Sequence, residues 1–178
     1  NLGLTAQQAI TEAHRCLDCK NPTCVQGCPV NINIPGFIKQ LELGNVLAAA
    51  EVIQQSSTLP AVCGRVCPQE KQCEAQCIHL KMGHEPVAIG YLERFVADHA
   101  YGLSSVTSLP SAPLTSTNRT KIAVVGSGPA GLAFAGDMAK YGYQVTVFEA
   151  LHEIGGVLKY GIPEFRLPNA VVDREIEG

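Results

Sequence analysis

The sequence predicts an α-helical domain followed by the start of an α/β domain, and three observations predict it. All eight cysteines lie between Cys16 and Cys77, within a segment whose apolar residues recur at helical spacing. A stretch rich in Ser, Thr and Pro, LSSVTSLPSAPLTSTNRT, comes next and can bury little. Beyond it KIAVVG, a glycine-rich turn and QVTVFE read as strand, turn into helix, and strand, the order of a βαβ unit. The expected boundaries are 1–102 for the helical domain, 103–120 for a linker and 121–178 for a truncated βαβ unit.

In the first domain Thr5 can cap a helix running through Arg15. IPGFIKQLELGNVLAAAEVIQQSS continues with helical periodicity interrupted by Gly44. A third helix is expected from Pro86 to about His99, with Val87, Ile89, Leu92, Phe95 and Val96 on its inner side. In the second domain KIAVVG suits a buried parallel strand, and a helix should run from Pro129 to about Tyr141. There is no internal repeat, although the two CxxxCP segments, Cys24 to Pro29 and Cys63 to Pro68, resemble each other locally.

Composition narrows the function classes. A chain of 178 residues with 46% hydrophobic content and a net charge of -3 has room for one full domain or two small ones. Its 13 basic residues are scattered rather than striped, which weighs against a nucleic-acid partner. NLGLTAQQAITEAHR has no charged start followed by an apolar run, and no stretch approaches the ~18 apolar residues of a membrane span. The expectation is a cytoplasmic chain without membrane contact. In a reducing compartment lasting disulfides are uncommon, so the cysteines are read first as metal ligands.

Their spacing sharpens that reading. Cys16 and Cys19 are two residues apart, Cys24 follows after four, and Cys28-Pro29 after three; downstream come Cys63, Cys67-Pro68, Cys73 and Cys77. A [4Fe-4S] cube needs ligands on separate corners, which closely spaced loop cysteines and one distant residue can supply. In two-cluster ferredoxins the cysteine before proline serves the other cluster, and Cys28 fits that role. Structural zinc is the main alternative, but it usually shows paired CxxC knuckles, and only Cys16 and Cys19 have that spacing.

CLDCKNPTCVQGCPVNINIPGFI followed by CGRVCPQEKQCEAQC resembles the N-terminal domain of the NADPH-dependent glutamate synthase small-subunit family. That family includes the ferredoxin:NADP oxidoreductase large subunit and the front of dihydropyrimidine dehydrogenase. The resemblance implies interleaved ligation of two [4Fe-4S] clusters. Cys16, Cys19, Cys24 and Cys77 would hold one; Cys28, Cys67 and Cys73 the other, with Glu93 of PVAIGYLERFVAD as fourth ligand. On the residues alone Glu93 is a solvated helix carboxylate. Cys63 is left without a cluster, as a small buried residue nearby.

The turn GSGPAG, with Gly126, Gly128, Pro129, Ala130 and Gly131, stands between a strand and a helix. In that context Gly126 makes the tight turn, Gly128 admits a pyrophosphate and Gly131 lets helix approach sheet. Glu149, ending the next strand, can accept hydrogen bonds from an adenosine ribose diol, and neither Ala150 nor Leu151 supplies a cation for a 2′-phosphate. FAD and NAD remain alternatives on these residues; a glycine turn with no ligand is the plainer one. GGVLKYGIPEFRLP is similar to the family's FAD-binding stretch, which implies contacts from Gly156, Val157 and Arg166.

Taken as a resemblance, the chain is an α-helical Fe–S domain followed by the start of an α/β Rossmann-like FAD-binding domain. The implied function is an oxidoreductase subunit passing electrons between NADPH, FAD and [4Fe-4S] clusters, with a partner such as a glutamate synthase large chain. A bifurcating ferredoxin:NADP transhydrogenase large subunit or a pyrimidine reductase is the alternative among enzymes, and a zinc-binding interaction module outside them. No residue of this chain is singled out as catalytic. Starting at Asn1 and ending at Gly178, the chain is expected to be a fragment lacking the NADPH domain and unable to turn over NADPH alone.

Overall fold

The computed structural model describes residues 3–104 and 120–177. The chain divides into two compact units, Asn1–Ser105 and Val106–Gly178. Most of the linker expected over 103–120 lies outside the described residues.

The first unit is helical. Helix α1 spans Ala6–Ala13 and is capped by Thr5, whose hydroxyl accepts the Gln8 N–H while the Gln8 side chain accepts the Thr5 N–H. This reciprocal box satisfies two backbone donors that a helix start leaves without partners. The helix stops at Ala13, two residues short of the expected Arg15, because the chain turns there into the cysteine loop. Short helix α2 (Thr23–Gln26) follows, then α3 (Ile34–Glu42) and α4 (Val46–Gln54). Asn33 caps α3 through the Gly36 N–H, and Gly44, at φ +79°, makes the break that the sequence places there.

Helix α5 (Pro60–Val66), two 3₁₀ turns at Gln69–Lys71 and Glu74–Gln76, and α6 (Ile78–Lys81) lead to the long helix α7, Ile89–Ser104. That helix starts three residues later than Pro86. The approach is held in another conformation by side chains: Arg15 donates to the Glu85 and Pro86 carbonyls, Glu12 accepts the Ala88 N–H, and Glu74 accepts the Gly90 N–H. The core is built from Phe37, Ile38 and Leu41 of α3, Ile53 of α4, and Leu92, Phe95 and Val96 of α7. Val87 and Ile89 are also buried, so the inner face expected for this helix is the observed one.

Helices α5 and α7 touch at Gly64, where a Cβ would lie 2.6 Å from the Arg94 nitrogen and 2.8 Å from its Cα. Close by, Arg65 grips Asp98 with contacts of 2.7 and 2.9 Å.

The second unit carries β1 (Lys121–Val125), α8 (Pro129–Lys140) and β2 (Gln144–Phe148), then α9 (Val157–Tyr160) and α10 (Asn169–Glu177). The two strands are parallel, with Lys121 opposite Gln144 and Val125 opposite Phe148. Burial of β1 is confined to Val124; Val125 is 90% exposed. The expectation of a buried strand fails because, among the described residues, β2 is its only sheet neighbour.

Replacing Gly64 with Ala forces a methyl onto α7 backbone atoms that cannot swing aside. The expected cost is about 1–3 kcal/mol, read as a lower urea midpoint of the helical transition with unchanged slope; an unchanged midpoint contradicts the close approach.

Candidate functional site

The cysteines fall into two neighbourhoods. Cys16 follows the end of α1, Cys19 lies in the next loop, Cys24 is on α2 and Cys77 caps α6. These four line one cavity together with apolar Ile34, Ile38, Val87 and Ile89. Two distant stretches of the unit are tied at this point: the Thr23 hydroxyl donates to the Gln76 carbonyl, and a Cβ on Gly27 would lie 2.7 Å from the Gln72 carbonyl oxygen. His79 adds a contact of 2.8 Å to the Arg15 carbonyl.

The second neighbourhood contains Cys28, Cys67, Cys73 and Glu93, with Cys63 beside Cys67. Both CxxxCP segments end a short helix: Cys67 is the C-cap of α5, and Cys28 follows Gly27, the C-cap of α2. Glu93 of α7 is buried, 6% exposed, so the solvated carboxylate expected from the residues alone is not what the fold contains. Cys63 is hydrogen-bonded to Cys67 and receives a 3.9 Å contact from the Ser57 hydroxyl.

Burial pushes the Cys24 thiol up to about 11, reinforced by Cys16, Cys77 and Cys19. Cys16 is raised by the same cause. Cys73 is pushed to about 12 by burial and then by the carboxylates of Glu74 and Glu93. Cys67 moves the other way, because the hydrogen bond from Cys63 favours its thiolate over the opposing effects of burial and of Glu93. No three His, Cys, Asp or Glu side chains among the described residues stand close enough to grip a single metal ion.

In the second unit Gly126 adopts φ +95° as the chain leaves β1, and its N–H donates to the Phe148 carbonyl at 2.8 Å. A Cβ on Gly131 would lie 2.1 Å from the Gly126 carbonyl oxygen, so the last glycine of the turn is sterically required. At Gly126 and Gly128 a Cβ would meet nothing within 4 Å, leaving open space at the start of α8. Gly128 caps α8, with Pro129 and Ala130 in its first turn. A helix N-terminus of this kind presents N–H groups and a positive dipole to a pyrophosphate.

Gly155 and Gly156, at φ +126° and +53°, form a second glycine turn that packs on the first, a Cβ on Gly156 lying 2.9 Å from the Gly128 Cα. Val157 begins α9. Arg166 is exposed, and no hydrogen bond among the described residues joins its guanidinium to either glycine turn. The Glu149 carboxylate accepts the Ser127 hydroxyl and N–H and the Leu151 N–H, the last two at 2.9 Å. Ser127, fully buried, is the residue that sequence reasoning passed over, because the fingerprint leaves its position variable.

The model for dihydropyrimidine dehydrogenase domain II, 4Fe-4S cluster, matches residues 1–104. The chain belongs to that family. A model for an NAD(P)-binding Rossmann-like domain matches residues 124–174 of the second unit. Among curated relatives, the glutamate synthase [NADPH] small chain of Halomonas elongata is 42% identical over 168 residues, covering 94% of this chain and 35% of that one. Its counterpart from Escherichia coli K12 is 41% identical over 96% of this chain and 35% of its own length. The NAD-dependent dihydropyrimidine dehydrogenase subunit PreT of Salmonella typhimurium is 40% identical, over 98% and 41%. The chain therefore spans about a third of the length of these relatives. The fold is that of the family: a helical Fe–S domain followed by the start of a Rossmann-like domain. Among the described residues no helix is long and apolar enough to cross a membrane.

Hydrogen bonds, that from Ser127 first, hold the Glu149 carboxyl down at about 2, below the ~4.3 of an ordinary glutamate. A depressed folded value means that the ionised group's contribution to stability is complete above the ordinary value and is lost as pH falls toward 2. Glu149→Gln should therefore lower the melting temperature at pH 7, and the gap to the native protein should close between pH 5 and pH 2. A gap independent of pH contradicts the assignment.

Proposed function

We propose that the chain is the front end of an electron-transferring oxidoreductase in which NADPH, FAD and two [4Fe-4S] clusters exchange electrons, most like the small chain of glutamate synthase. The observation that carries this reading is the cavity lined by Cys16, Cys19, Cys24 and Cys77, four thiols drawn from two distant stretches of one helical unit. These four would hold one cluster; Cys28, Cys67, Cys73 and Glu93 would hold the other. When bound, flavin supplies two-electron hydride chemistry and each cube carries one electron at a time, so together they convert one currency of electrons into the other.

The chain's own residues hold and shield. Apolar Ile34, Ile38, Val87 and Ile89 line the cavity of the first thiol set, and Cys73 and Glu93 are buried in the second. Bound iron would take thiolates, so Cys16, Cys24 and Cys73, whose thiols burial pushes up, would give up protons to it. The backbone of Gly126, Gly128, Pro129, Ala130 and Gly131 would receive the FAD pyrophosphate, Glu149 the adenosine ribose, and Gly156 and Val157 the remainder of the dinucleotide, with Arg166 facing flavin or pyrophosphate. An NADPH-binding domain and an electron-accepting partner, such as a glutamate synthase large chain, complete the proposed assembly in the cytoplasm. The 40% identity to PreT favours a dihydropyrimidine-reducing assembly as the second reading.

Two outcomes check this. Cys24→Ser and Glu93→Ala should each abolish the electron paramagnetic resonance signal of one reduced cluster and leave the other; both signals persisting in either variant removes that residue from the ligand set. Added anaerobically to the full-length protein, NADPH should bleach flavin and clusters together. Bleaching of flavin with the clusters left oxidised overturns the electron path.

A further inference from the structure

Ser127 occupies the first variable position of GSGPAG, yet its side chain is fully buried. Its hydroxyl donates to Glu149 Oε2 and accepts the Gly155 N–H at 3.0 Å, while its own N–H donates to the same carboxylate oxygen at 2.9 Å. One hydroxyl thus joins three pieces of chain: the turn after β1, the acid ending β2, and the second glycine turn. The neighbouring backbone is tight too, since a Cβ on Gly156 would lie 2.9 Å from the Gly128 Cα and 3.3 Å from its nitrogen.

We infer that Ser127 is the positioning residue of the dinucleotide site, fixing the Glu149 carboxylate for the adenosine ribose and the Gly155–Gly156 turn against the pyrophosphate-binding glycines through a single hydroxyl. This rests on the reading that the second unit binds FAD. A carboxylate on a surface strand end has several rotamers, and a ligand must otherwise select one at a cost in affinity. Here the hydroxyl and the Leu151 N–H have already made the selection, one on each oxygen. The depressed titration of Glu149 agrees, because the same contacts favour its ionised form. Alanine at this position removes the link twice over: Oε2 loses a donor, and the Gly155 N–H loses its acceptor inside the protein.

The test uses the full-length protein stripped of flavin and titrated with FAD, and separately with ADP, which carries the ribose and pyrophosphate alone. Ser127→Ala should weaken FAD at least tenfold and ADP by a similar factor, with cluster absorbance unchanged. Glu149→Ala should weaken both, and the Ser127→Ala/Glu149→Ala double variant should be weaker than Glu149→Ala by clearly less than the full Ser127→Ala factor, because the serine acts partly through the acid and partly through the Gly155–Gly156 turn. Ser127→Cys, nearly the same size with a poorer hydrogen-bonding group, should fall between native and Ala, and it carries the test if the alanine variant does not fold. Native-like FAD affinity in Ser127→Ala, or losses that multiply fully in the double variant, overturns the positioning role alone. Native full-length protein that neither carries nor takes up FAD overturns the flavin reading and this role with it.

Discussion

The thiol of Cys77 shares one cavity with those of Cys16, Cys19 and Cys24, and two distant loops of the helical unit come together there. Chain entropy opposes it, because two loops far apart in sequence must be fixed against each other. Small polar latches hold them: Thr23 on the Gln76 carbonyl, His79 on the Arg15 carbonyl, Arg15 on the carbonyls of Glu85 and Pro86, and Glu12 on the Ala88 N–H. Behind them the packed faces of α3, α4 and α7 supply the apolar burial that keeps the loops in register. Burial in these loops pushes the thiols of Cys16 and Cys24 up, Cys24 to about 11, and that of Cys73 in the second group to about 12.

Much of this was legible in the sequence, for identifiable reasons. The capping box at Thr5, the break at Gly44 and the inner face of the long helix are local patterns, and local patterns survive folding. What escaped was set by tertiary contacts. The start of α7 at Ile89 instead of Pro86 depends on Glu12, Arg15 and Glu74 reaching across the fold. The burial of Glu93 depends on which turn of α7 faces the second cysteine group, and periodicity alone made that carboxylate a surface residue. Gly27 and Gly64 looked like ordinary glycines, yet each marks a place where another segment's backbone leaves no room for a side chain.

The second unit divides in the same way. Glycines of the fingerprint could be assigned roles from their spacing, and Gly126 and Gly131 have the backbone conformation and crowding those roles require. Exposure of Val125 on β1 could not be foreseen, since a β-branched run suggests burial on both faces while burial itself depends on what lies alongside. Ser127 was invisible for the opposite reason: its hydrogen-bond partners lie more than twenty positions away.

Both units follow one rule, in which backbone turns and small residues make the space while a few buried polar groups fix its chemistry. For the helical unit that chemistry is iron and sulfide, and the account stands on their presence. Protein isolated without exposure to oxygen should contain about eight iron and about eight acid-labile sulfide per chain, the content of two cubes. Stoichiometric zinc in their place, or neither iron nor sulfide, contradicts the account at its root.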